Sequence, residues 1–198
     1  YSEIGKPQKA LEYLEKALLI FKEVGDRSGE ATTLNNIGIV YNTIGKPQKA
    51  LEFFEKALPI LKEVGNRSVE ATTLNNIGVV YHSIGKPQNA LEYYEKALPI
   101  MQEVGDRSLE STTLSNIGAV YRDSNQPEKA IEHWKKSVKI TLKMRGGLKK
   151  ENRKTFLEDN RGTPIALIDL LIDQNQPEAA WKWYNLATTF DLADYTRL

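Results

Sequence analysis

Cysteine is absent from the 198-residue sequence. Its absence excludes disulfide bonds, thiolate metal sites and cysteine nucleophiles within these residues, and it fits a reducing compartment, so we expect a cytoplasmic location. Histidine is scarce: His82 and His133 are too far apart for the His-Glu-x-x-His pattern of a zinc site. Neither a Gly-x-x-x-x-Gly-Lys-Ser/Thr loop nor a Gly-x-Gly-x-x-Gly loop occurs. We therefore expect no enzyme activity, no metal site and no cofactor.

Long apolar runs and an excess of one charge are also missing. No stretch approaches the roughly 20 apolar residues that a membrane helix needs. The 27 Lys and Arg residues nearly balance the 26 Asp and Glu residues, so the net charge is +1. We expect neither a membrane nor a nucleic acid as partner. Residues 143–154 are a local exception with six basic residues and one acid, and they are either an anion-binding patch or a solvated linker.

A repeat of 40 residues organises most of the chain. Residues 5–44 and 45–84 are identical at 31 of 40 positions, and a third copy begins at Gly85. Within one copy, Leu34, Ile37 and Tyr41 share one face of a predicted first helix. Gly45 then predicts the end of that helix, in a conformation with positive φ.

A second helix is predicted in each copy after a proline that suits a first helical turn. Its apolar face consists of Ala50, Leu51, Phe54, Ala57 and Leu58. Pro59 and Pro99 lie inside this second helix, where an isolated proline costs about 3 kcal/mol, so we expect a kink or a short break. Ser68 is predicted to cap the first helix of the next copy.

These residues resemble the tetratricopeptide repeat family. The family's first motif appears as Leu-x-x-Ile-Gly-x-x-Tyr at residues 34–41, and its second as Ala-x-x-x-Phe-x-x-Ala at residues 50–57. The 40-residue period is similar to the long repeats of kinesin light chain and spindle-orientation adaptors. This resemblance implies an all-α fold, a right-handed superhelical array of helix–turn–helix hairpins. It also implies a protein or peptide partner, bound in the concave groove of the array.

Three segments are expected along the chain. Residues 1–145 form the regular array, with a truncated first repeat because Tyr1 occupies the position of Tyr41. Residues 146–162 form a linker or an irregular helical segment. Residues 163–198 form a degenerate C-terminal hairpin, with Leu167, Leu171 and Tyr184 at its core positions.

Two alternative functions stay open. The closing segment is similar to the last repeat of bacterial, cyanobacterial-like proteins in which the array precedes a caspase-like CHAT peptidase domain. That resemblance implies a regulatory or substrate-recruiting arm. The second alternative is a structural array that self-associates through exposed repeat ends.

The residues opposite the core face of each first helix are the candidate partner-binding site. Asparagine recurs there at positions 36, 76 and 116, and its carboxamide can both donate to and accept from the backbone of an extended peptide. The alternative is that this ladder bonds the neighbouring hairpin and fixes the twist of the array. Arg122 either selects a charged side chain or is a solvated helix end. The candidate partner-binding residues are Thr32, Asn35, Asn36, Asn42, Asn75, Asn76, His82, Asn116 and Arg122.

Overall fold

Every regular element that the computed structural model describes is a helix; the described residues are 5–188. The α-helices are α1 (Gly5–Val24), α2 (Arg27–Thr43), α3 (Pro47–Glu63), α4 (Arg67–Ser83), α5 (Pro87–Val104), α6 (Arg107–Asp123), α7 (Pro127–Gly146), α8 (Arg153–Asp159), α9 (Gly162–Asp173) and α10 (Pro177–Thr188). One 3₁₀ turn, Lys150–Asn152, precedes α8. The predicted all-α fold of consecutive helical hairpins is confirmed. The predictions for Tyr1 and for residues 189–198 lie outside the described residues.

The chain divides into two compact units, Tyr1–Gly105 and Asp106–Leu198. In the first unit, α1 packs on α2, and the pairs α2–α3 and α4–α5 form hairpins that stack through α3 and α4 and through α2 and α4. In the second unit, α6–α7 and α9–α10 form hairpins, α9 packs on α7, and α8 contacts α7.

The first helices end, as predicted, in a turn whose residue at the position of Gly45 has a positive φ. Gly45 has φ 71°, and Asn125 has φ 56° at the same place in a later repeat. The predicted cap at Ser68 is wrong, because α4 begins at Arg67 and Ser68 therefore lies inside the helix. The cap is Asn66, whose side-chain oxygen accepts a hydrogen bond from the backbone N–H of Val69 over 3.3 Å.

Each regular hairpin is closed by an aromatic ring that lies on a glycine. A Cβ atom placed on Gly38 would lie 2.6 Å from Phe54 Cε1, and one on Gly78 would lie 2.5 Å from Tyr94 Cε1. Any side chain at these positions would collide with a buried ring. The glycine of the family motif is therefore required for the close packing of the two helices.

Hairpins stack through the other side of the same rings. Ala50 and Phe54 pack against Ile77 and Val80 of the next hairpin, so that buried side chains join the two hairpins. The helix α3 also runs without interruption through Pro59, as α5 runs through Pro99, so the predicted break does not occur.

The last hairpin departs from this arrangement. Leu167 and Leu171 are fully buried, as predicted, but Tyr184 is 47% exposed. Ile168 stands where the regular repeats have glycine, so an aromatic ring at position 184 has no flat surface to lie on. Trp183 is turned into the core instead, where it packs with Leu167 and Leu171.

Candidate partner-binding site

Adjacent asparagines on the first helices differ in their exposure. The sequence predicts an accessible position for Asn35 and Asn75, but they are only 4% and 5% exposed. Asn36, one residue further along α2, is exposed. Because α2 is covered by α3 on one side and by α4 on another, its open surface is narrower than a helical wheel predicts. The structure therefore places Asn35 and Asn75 in the interior.

Asn35 joins two neighbouring hairpins. The hydroxyl of Thr73 donates to Asn35 Oδ1 over 3.0 Å, and the amide of Asn76 donates to the same oxygen over 3.4 Å. Both hydrogen bonds run from α4 to α2. Of the ladder residues 36, 76 and 116, Asn76 thus bonds the neighbouring hairpin, as the predicted alternative has it, and Asn35, which lies outside the ladder, is its partner there.

The remaining candidates of the first unit, together with two apolar residues beside them, Ile39 and Val79, form what we call the open face. It consists of Thr32, Asn36, Ile39 and Asn42 on α2, and Asn76, Val79 and His82 on α4. Asn36 is exposed, Ile39 is 40% exposed, and the rest are half-buried. The side chains of the open face are three amides, one hydroxyl, one imidazole and two branched apolar groups, and none of them is a carboxylate or an ammonium group. In the second unit, Asn116 on α6 is half-buried.

Arg122, at the end of α6, already contacts other side chains of the second unit. Its Nε donates to Asp123 Oδ1 over 2.8 Å, and its guanidinium lies 5.7 Å from the centre of the Trp134 ring. With Asp169 and Asp173, Arg122 lines a cavity of about 280 Å³ in the second unit. A negatively charged partner group would therefore compete with nearby carboxylates for this guanidinium.

An Arg–Glu ion pair that was not predicted from the sequence recurs in each regular repeat. Three carboxylates near the start of the first helices are buried: Glu30, Glu70 and Glu110. In the middle copy, Arg67 contacts Glu70 over 2.6 Å and Glu103 over 2.9 Å. The hydrogen bond and charge of Arg67 hold the pKa of Glu103 below its ordinary value. The sequence pattern that could have predicted this ion pair is Arg-x-x-Glu at the same position of each repeat. The ion pair holds the start of each first helix in place.

The basic segment is partly built into the second unit. Arg145 is 5% exposed, and burial, together with the charge of Arg153, lowers its pKa. Arg153 Nε donates to the carbonyl oxygen of Leu148 over 3.0 Å. Arg145 and Arg153 therefore take part in the packing and hydrogen bonding of the second unit, whereas Lys143 is exposed.

The two histidines have different surroundings. The His133 ring packs against that of Tyr121 at a tilt of 35°, with ring centres 5.3 Å apart. Its Nδ1 lies 2.8 Å from the carbonyl oxygen of Lys129, and because a carbonyl oxygen only accepts, Nδ1 carries a proton there. His82 belongs to the open face. Among the described side chains, no group of three or more His, Asp or Glu residues is placed to hold a metal ion. None of the helices in the described range is long and apolar enough to cross a membrane.

Comparison with known families identifies the repeat. The tetratricopeptide repeat model matches residues 1–63 and 69–143. The chain belongs to the tetratricopeptide repeat family. This membership indicates a protein-interaction role, and the predicted family is confirmed.

Several solved structures share the fold of this repeat protein. BtubC (BKLC) from P. vanneervenii is 22% identical, with a TM-score of 0.76 over 94% of this chain and 73% of that one. Kinesin light chain-like repeats of Podosopora anserina are 16% identical, with a TM-score of 0.67 over 94% and 88% of the two chains. The Rap conjugation gene regulator of plasmid pLS20, in complex with the Phr* peptide, is 20% identical, with a TM-score of 0.67 over 92% and 48%. None of the curated proteins matches the chain in sequence.

Proposed function

We propose that the repeat array binds an extended peptide segment of a protein partner, and that the open face of α2 and α4 is its contact surface. The observation that carries this proposal is the different use of two adjacent asparagines. Asn35 bonds the neighbouring hairpin, whereas Asn36, whose Oδ1 accepts from Asn35 Nδ2 over 3.4 Å, is exposed in the middle of a helix. Asparagine is a poor helix former, so an exposed one costs stability without a gain from packing.

The chemistry of the open face favours backbone recognition. Carboxamides and hydroxyls can bond the N–H and C=O groups of any peptide, whereas long-range selection by charge needs ionised groups. Ile39, 40% exposed beside Asn36, adds apolar contact for a side chain of the partner. In the second unit, taken by itself, Asn116 and Arg122 are the residues proposed to contact a partner. A structural relative, the Rap regulator, is described in complex with the Phr* peptide, and this supports a peptide as ligand.

Peptide selection tests the proposal. Peptides selected from a display library on the whole chain would be labelled, and their dissociation constants measured by fluorescence anisotropy. The test variant is Asn36→Ala/Asn76→Ala, and the matched control is Gln48→Ala/Gln88→Ala, which removes two exposed carboxamides one period apart on α3 and α5. Circular dichroism would verify that both variants stay helical.

We expect the asparagine variant to bind about 5- to 150-fold more weakly, because two hydrogen bonds are worth about 1–3 kcal/mol together. The glutamine variant should bind within about twofold of the wild type. Equal loss in both variants, or no loss in either, would place the peptide elsewhere and leave the peptidase-arm and self-association alternatives ahead.

A further inference from the structure

Three hydroxyl side chains in the second unit stand where the preceding repeat has apolar groups. One period apart, the replacements are Ala71 by Ser111, Ala97 by Ser137 and Met101 by Thr141. All three hydroxyl residues are at least nine-tenths buried. They come from two different helices, α6 and α7, yet they meet at a single place in the structure.

Hydrogen bonds join the members of this hydroxyl cluster to one another. The Ser137 hydroxyl donates to the carbonyl oxygen of Ser111 over 2.8 Å, and Ser111 Oγ lies 3.0 Å from the carbonyl oxygen of Ser137. Ser111 Oγ also lies 3.0 Å from Ser137 Oγ and 2.9 Å from Thr141 Oγ1, and either oxygen of each pair can be the donor. Each hydroxyl oxygen has two acceptor lone pairs, so the oxygens of Ser137 and Thr141 can also accept from a ligand.

The cluster lines a cavity of about 200 Å³ within the second unit. The other lining residues come from α6, α7 and the segment around the start of α9: Ser108, Thr112, Met144, Asp159, Asn160, Gly162 and Thr163. Thr112 donates its proton to the carbonyl oxygen of Ser108, so its oxygen too is left as an acceptor. Asp159 is the one lining residue with a charged side chain, and it lies at the exposed rim.

From this arrangement we infer that the cavity binds a primary ammonium group, carried by a lysine side chain or a small alkylamine. A cavity lined by several hydroxyl oxygens and one carboxylate suits a compact cation with three N–H donors. The Met144 side chain offers an apolar contact for an alkyl stem. The carboxylate of Asp159 would repel an anion. The inference does not depend on peptide binding by the open face.

The chain itself supplies the matched variant. Ser111→Ala/Ser137→Ala/Thr141→Met restores the apolar set that packs without exposure in the preceding repeat, so this variant should fold. Butylammonium chloride is the probe, with sodium butyrate and potassium chloride as controls, all at constant ionic strength. Binding is followed by chemical-shift changes of backbone amides in the whole chain, and thermal melts report that the variants are folded.

We expect saturable shifts with butylammonium at residues around the cavity, at Ser108, Asp159 and Thr163, and no saturable shifts with butyrate. The apolar triple variant and Asp159→Asn should each weaken binding by about tenfold or more. Equal shifts with butyrate or with potassium ions would overturn the inference. It would also be overturned by an absence of saturable shifts, which would mean that the cavity holds water only, or by unchanged binding in the folded triple variant.

Discussion

Replacing Tyr94 by phenylalanine should stabilise this protein. Tyr94 is fully buried beneath the second regular hairpin, and its hydroxyl oxygen has no hydrogen-bond partner in the part of the chain that is described. The ring cannot turn to find one, because its edge already rests on the backbone of Gly78. The preceding repeat has Phe54 at the same position, equally buried, and so the fold accepts the ring without its hydroxyl.

The size of the gain follows from the cost of an unsatisfied buried hydroxyl, about 1–3 kcal/mol. Removing the oxygen also leaves a small void, and the cost of this void offsets part of the gain. We expect a net gain of about 1 kcal/mol, which for a chain of this length raises the Tm by about 2–4 °C. Burial also raises the pKa of Tyr94 above 10.0. Above that pH the unfolded chain loses a proton that the folded chain keeps, so the wild type loses stability there and the advantage of the variant grows.

Thermal and urea unfolding, followed by circular dichroism at pH 7 and pH 10.5, measure this effect. Phe54→Tyr is the reciprocal control, and it should lower the free energy of unfolding by about 1–3 kcal/mol because it buries a second unpaired hydroxyl. A lower Tm for Tyr94→Phe would refute the reasoning, since it would mean that the hydroxyl contributes a favourable bond. An unchanged Tm for Phe54→Tyr would show that the site accommodates an oxygen without cost.

Three further substitutions probe the repeat itself by the same unfolding measurements. Gly78→Ala should lower stability by about 1–3 kcal/mol, because the new Cβ would lie 2.5 Å from the Tyr94 ring; a neutral result would contradict the close packing. Asn125→Ala should cost about 1 kcal/mol at φ 56°, whereas Asn125→Gly should cost nothing, so equal losses would be inconsistent with a conformational cause. Pro59→Leu, which copies Leu19 of the preceding repeat, should raise stability by up to about 3 kcal/mol, and a decrease would mean that the proline fits its helix without strain.

Most of the fold could be predicted from the sequence because periodicity and turn chemistry are local. Gly45 must end a helix wherever the hairpin lies, and Leu34 and Ile37 share a helix face whatever packs on it. The core of the last hairpin was less predictable. Ile168 in place of a glycine changes which aromatic residue of α10 turns inward, and only the packed structure shows that consequence.

The site was harder to predict, because adjacent residues on a helix differ by only about 100° in direction. Whether Asn35 or Asn36 faces outward depends on the angle at which α4 lies against α2, and the sequence does not contain that angle. The hydroxyl cluster around Ser111 left a readable signal, since its three positions are apolar in the preceding repeat. Their meeting in one cavity could not be read without the positions of α6 and α7.

Mapping where a selected peptide lies on the array tests the central claim most directly. A photoreactive derivative of the tightest peptide would be cross-linked to the whole chain, and the adducts located by mass spectrometry. The account predicts adducts on α2 and α4, at or beside Ile39 and Val79 of the open face. Adducts concentrated on α3 and α5, around Gln48 and Gln88, would contradict it.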